Sequence, residues 1–115
     1  MFNLGLWFEK GEGVAKDRAK AFEWYKRAAE LGNAHAMNNL GVCFDNGKGV
    51  AKDEAKAFEW FKRGAELGNA DAMNNLGGFF EDGRGVAKDE AKAVEWYKRA
   101  AKLGNPHAKE RLQWW

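Results

Sequence analysis

Few side chains in this sequence are suited to covalent or metal chemistry. There is one cysteine, Cys43, and there are two histidines, His35 and His107. Serine, threonine and isoleucine are absent altogether, which removes hydroxyl nucleophiles of the serine and threonine type. His35 and Cys43 are eight residues apart on what the pattern makes a single helix. That places them roughly 12 Å apart along its axis, beyond a nucleophile–base contact. A reactive thiol is one reading of Cys43; an inert, partly buried cysteine is the default. Two imidazoles and one thiol are too few for an ordinary structural zinc site. A single cysteine allows no intrachain disulfide and does not point to an oxidising compartment. Carboxylates are numerous, but nearly all sit at recurring surface positions, and no two are paired in an apolar setting. The Gly-x-Gly segments lack the third glycine and the preceding strand of a dinucleotide site, so they read as turns. No catalytic residue, metal ligand or cofactor is therefore assigned, and the chain is not expected to be an enzyme.

The side chains left for recognition are amides, aromatics and acids, and a repeating frame positions them. Gly5, Gly41 and Gly77 are spaced by 36 residues, as are Gly11, Gly47 and Gly83, Asp17, Asp53 and Asp89, and Trp24, Trp60 and Trp96. Each unit reads as two helices, A and B. In the middle unit Ala57, Phe58, Trp60, Phe61, Gly64, Ala65 and Leu67 fill about half the circumference of helix B at roughly 100° per residue. Lys56, Glu59, Lys62, Arg63 and Glu66 fill the opposite arc. Asp53 is the expected N-cap or first-turn acid, Gly68 the left-handed stop, and Asn69 the cap of the next helix A. On that helix Ala72, Met73, Leu76, Gly77 and Phe80 form the apolar face, and a mid-helix glycine recurring there implies a close neighbour. The predicted segments are A at 2–10, B at 16–31, A at 34–46, B at 52–67, A at 70–82, B at 88–103 and A at 106–113. They make one domain over 1–115, with units at 1–33, 34–69 and 70–105 and a terminal helix at 106–115. The fold class is an all-α, α/α superhelical solenoid of helix–turn–helix repeats.

The set Ala36, Leu40, Gly41, Phe44, Gly47, Gly49, Val50, Asp53, Lys56, Ala57, Trp60, Phe61, Ala65 and Gly68 resembles the Sel-one-like repeat, and from Leu40 on it recurs one unit earlier, and in full one unit later, with tyrosine in the place of Phe61. The tetratricopeptide repeat, a structural cousin, has a 34-residue period and no Gly-x-Gly-Val turn. The resemblance implies a right-handed superhelix and an adaptor role, with a concave helical surface presented to partner proteins. A cysteine-rich branch is described as binding or hydrolysing β-lactams. One cysteine and no serine set this sequence apart from it, and that activity is not carried over.

Comparison between units shows where the sequence is free. The charged arc of helix B barely changes, which suits solubility. Helix A varies on one face: His35, Asp71 and His107 are equivalent, as are Leu6, Val42, Gly78 and Trp114, and as are Trp7, Cys43, Phe79 and Trp115. Lys10, Asn46 and Asp82 are equivalent too, and Asn3, Asn39 and Asn75 lie beside them. By the resemblance this face lines the concave groove. The expected partner-binding residues are Asn39, Val42, Cys43, Asn46, Asn75, Gly78, Phe79 and Asp82, with the amides suited to an extended peptide backbone. The competing reading is neutral surface drift, with Phe79 and Cys43 partly filling the core. Trp24, Trp60 and Trp96 read as packing residues, since they recur at one place in every unit.

Phe2, Leu6, Trp7, Trp114 and Trp115 are candidates for self-association through the ends; alternatively Trp7, Trp114 and Trp115 fold back on their own repeats. A net charge of +2 does not suggest a sequence-independent grip on nucleic acid or an anionic membrane. No signal-peptide pattern or apolar span is evident, and the expectation is a soluble, cytoplasmic protein. The restricted alphabet points to consensus design or to recent duplication. Two functional readings follow: a scaffold that binds a protein or peptide in its groove, or an engineered repeat module with no natural ligand that self-associates through its hydrophobic ends.

Overall fold

The computed structural model describes residues 18–113, which hold six α-helices and no strand. They are α1 (Arg18–Glu30), α2 (Ala34–Asn46), α3 (Glu54–Glu66), α4 (Ala70–Asp82), α5 (Glu90–Lys102) and α6 (Pro106–Leu112). The helix expected at 2–10 lies outside the described residues. Each helix packs on its neighbours in sequence, and α2 also meets α4 directly, so A helices of successive units touch. The chain is therefore a stack of helical hairpins, an α/α solenoid.

Side-chain caps fix the boundaries. Asn33, Asn69 and Asn105 hold extended backbone, and each Oδ1 accepts the N–H three residues on, from Ala36, Ala72 and Ala108 at 2.8–2.9 Å. Asp53 and Asp89 do the same for α3 and α5, accepting from Lys56 and Lys92. This cap is why helix B starts at Glu54 and Glu90, two residues later than the amphipathic pattern suggested. At the other end Leu67 and Leu103 have already left the helix, one residue early. That corrects the placement of Leu67 on the apolar stripe: beyond the last turn it swings outward and is 58% exposed. Gly68 follows at φ 95°, and the Asn69 N–H reaches back to the Gly64 carbonyl at 3.0 Å. Helix α6 ends at Leu112, one residue short of the expected 113.

The core is built from both helices of each unit. Tyr25, Leu40, Phe61, Leu76 and Tyr97 are its largest fully buried side chains. The mid-helix glycines admit the aromatic ring of their own helix B. A Cβ on Gly77 would stand 2.7 Å from the Tyr97 ring, and one on Gly41 2.6 Å from Phe61. Successive units join through the turn: Gly85, at φ 64°, sits so close to the Glu54 carbonyl at the start of α3 that a Cβ would lie 2.5 Å from it. Gly49 seats in the same way on the Arg18 carbonyl. Phe58 meets Phe80 edge-on across one junction, centroids 5.5 Å apart, and Phe22 meets Phe44 at 5.4 Å across the one before.

Candidate partner-binding surface

The A helices carry a run of polar contacts between units. Asn75 donates from Nδ2 to Asn38 Oδ1 at 2.8 Å, joining α4 to α2. The capping asparagines take part as well. Asn69 Nδ2 lies 3.0 Å from His35 Nδ1, and Asn105 Nδ2 donates to Asp71 Oδ1 at 2.8 Å. Asn69 and Asn105 thus each serve their own helix with the oxygen and the preceding unit with the nitrogen.

A second set of contacts comes from the turn. The Arg84 guanidinium donates to Glu54 Oε2 at 2.9 Å and to Asp45, and lies 4.5 Å from the Phe79 ring centroid. Burial alone would lower its pKa, but the bond to Glu54 and the charges of Asp45 and Glu54 outweigh that, and the net shift is upward. One unit on, Glu81 stands where Asp45 stood. It accepts from the Tyr97 hydroxyl at 2.6 Å and from Arg111 at 2.7 Å. Burial, reinforced by that bond to Glu81, holds the Tyr97 hydroxyl well above the usual tyrosine range.

Between these elements lies an open cleft of about 160 Å³, bordered by Asp45, Asn74, Asn75, Gly78, Phe79, Asp82, Arg84, Tyr97 and Arg111. Asn74 Oδ1 is buried there without a hydrogen-bond donor. The repeat register gives the reason. Asn38, its equivalent, receives its donor from Asn75, but the position equivalent to Asn75 in the next unit is Arg111, which turns to Glu81.

The cleft gathers Asn75, Gly78, Phe79 and Asp82 of the eight residues expected from sequence. Asn39 and Val42 are half-buried on α2 outside it, and Asn46 is exposed at the end of that helix. Two assignments need correction. Cys43 and Phe79 are core residues, 3% and 2% exposed. Phe79 packs edge-on against Phe61, centroids 5.2 Å apart, and reaches the cleft only as its floor. For Phe79 the cause is the Phe61 ring of the preceding helix B, against which it packs. Cys43 is thus a buried thiol, and His35 is engaged with Asn69. The self-association candidates Phe2, Leu6, Trp7, Trp114 and Trp115 lie outside the described residues. Sequence reasoning missed Asp45, Asn74, Arg84, Tyr97 and Arg111. A signal existed: acids at 45 and 81 and bases at 48 and 84 keep the 36-residue register.

Among the described residues no three His, Cys, Asp or Glu side chains gather as a metal site. No described helix is long and apolar enough to cross a membrane.

The profile of the Sel1 repeat matches residues 1–33, 34–69 and 70–105, and the chain belongs to the Sel1 repeat family. No curated protein matches at a significant level. Among solved structures it is similar to a Sel1 repeat protein from Oxalobacter formigenes. The identity is 42% and the TM-score 0.89, over 99% of this chain and 86% of that one. It is also similar to a protective antigen of uropathogenic Escherichia coli strains described as displaying an SLR fold. There the identity is 40% and the TM-score 0.94, over 98% of this chain but only 24% of the antigen. A cysteine-rich protein of Helicobacter pylori is 27% identical at a TM-score of 0.80, over 94% of this chain and 88% of that one. Solenoids of this family are commonly non-catalytic scaffolds for protein interaction.

Proposed function

We infer that this chain is a binding scaffold without chemistry of its own, and that its A-helix face receives an extended protein segment. The observation carrying this is the cleft at the junction of the second and third units, where Asn75, Asp82 and the floor ring of Phe79 border one opening. The half-buried amides offer both donors and acceptors at fixed positions, which suits a peptide main chain. Asn75 is held by its inter-unit bond to Asn38 rather than by a loop, so little ordering is needed on binding. Asp82 is exposed and adds a point of charge selection. Selection of peptides from a displayed random library, followed by titration, tests the reading. Affinity for the selected peptides is expected to fall at least tenfold in an Asn39→Ala, Asn75→Ala, Asp82→Ala variant that keeps its helical spectrum. Equal affinity for variant and parent would remove the A-helix face from consideration.

A further inference from the structure

The B-helix side of the same junction holds a second, larger opening, about 420 Å³, which shares no residue with the cleft. Its apolar wall is Phe58, Phe80 and Trp96, closed at the edge by Val86. Phe58 and Phe80 brace each other at right angles, and Trp96 is backed by the Arg99 guanidinium at 4.5 Å from its ring. Phe58 and Trp96 are thus held in place while half-buried, and Phe80, a core residue, lies beneath them. Lys62 and Lys92 stand at the rim against a single acid, Glu95. Neither lysine forms an ion pair among the described residues, though Lys92 Nζ lies 5.5 Å over the Phe80 ring.

The same assembly recurs one unit earlier. Phe22, Phe44 and Trp60 replace the three rings, Lys26 and Lys56 the two lysines, and Glu59 the acid, all unchanged in type. The contacts recur too. Phe22 and Phe44 are perpendicular at 5.4 Å, Lys56 Nζ is 5.6 Å from Phe44, and Arg63 is 4.5 Å from Trp60. Elsewhere on helix B the units do differ, as at Tyr25, Phe61 and Tyr97, or Ala28, Gly64 and Ala100.

We propose that these junction pockets on the B-helix side bind an acidic peptide segment, one apolar or aromatic side chain seated against the rings and flanking carboxylates meeting the two lysines. The volume suits one large side chain with its adjoining main chain. The excess positive rim charge selects acids on either side of that anchor. The like set of rings and lysines one repeat earlier would let a longer segment engage both junctions and gain by linkage.

The test uses the full chain and blocked pentapeptides, with the indole N–H signals of Trp60 and Trp96 followed by NMR. Glu-Glu-Phe-Glu-Glu is expected to shift both indoles. Glu-Glu-Gly-Glu-Glu and Lys-Lys-Phe-Lys-Lys are expected to bind at least tenfold more weakly. In a Lys62→Gln, Lys92→Gln variant the Trp96 response should weaken about tenfold while the Trp60 response is kept, which also shows that the array is folded. The proposal is overturned if the acidic peptide shifts neither indole, or if the lysine variant leaves the Trp96 response unchanged. It is equally overturned if free N-acetylphenylalanine binds as tightly as the pentapeptide, which would make these sites for small aromatic anions.

Discussion

Replacing Arg111 with asparagine should close the rung of the inter-unit ladder that Asn74 leaves open. Asn38 Oδ1 receives Asn75 Nδ2 at 2.8 Å, whereas Asn74 Oδ1 is buried with no donor. A buried acceptor left unsatisfied costs about 1–3 kcal/mol, and a neutral hydrogen bond contributes about 1. Two losses oppose the gain. The Arg111–Glu81 pair goes, but Arg111 is half-exposed, so this forfeits at most about 1 kcal/mol. Asparagine is also a poorer helix former than arginine by about 0.5 kcal/mol. The single substitution therefore mixes terms of opposite sign, and only a thermodynamic cycle isolates the rung. Arg111→Asn and Arg111→Ala are compared in the parent and in an Asn74→Ala background, with stability read from urea unfolding. The ion-pair and helix-propensity terms cancel in that comparison. The preference for Arg111→Asn over Arg111→Ala should be larger by about 1 kcal/mol when Asn74 is present, a difference of about 4 °C in Tm for a domain of this size. A coupling inside the error of such cycles, about 0.3 kcal/mol, would refute the register argument.

Gly77→Ala should destabilise the fold by about 1–3 kcal/mol in chemical denaturation, although alanine is the better helix former, because its Cβ would press into the Tyr97 ring. A gain in stability would mean that the ring has room to withdraw. Gly85→Ala combines a left-handed φ of 64° with contact on the Glu54 carbonyl, and should cost at least as much by the same measurement. Tyr97 keeps its proton in the folded chain to higher pH than in the unfolded one. Its contribution is full below about pH 10 and is lost as pH rises from there toward the folded value. Tyr97→Phe should therefore flatten part of the stability decline between pH 9 and 12; an unchanged slope would show that the hydroxyl is not held protonated.

The helical hairpins were legible because two local signals agree: a 36-residue register and caps at fixed offsets within it. Asn69 and Gly68 could be placed from their own chemistry, since each acts within a few residues of its position. The errors arise where a second helix intervenes. A helical wheel ranks Cys43 and Phe79 by angle on one helix, but the helices packed beside it decide that they are buried, as the Phe61 ring delivered from helix B shows for Phe79. Leu67 shows the converse: periodicity continues it into the stripe, while the end of the helix turns it out. The Arg84 contacts with Glu54 and Asp45 span 30 and 39 residues, and no periodicity along one strand of text gives the distance between such groups. The open rung at Asn74 is invisible for the same reason until its partner across the junction is seen.

Gly85 resting on the Glu54 carbonyl has an effect on how such a chain can change over time. The pitch of the stack is gauged there in part by main chain against main chain, beside the Arg84–Glu54 and Phe58–Phe80 contacts. Outer-face residues that make no contact between units can then be exchanged without disturbing that main-chain seat. Shape and recognition are thereby uncoupled, and a shared curvature among relatives is compatible with quite different ligands.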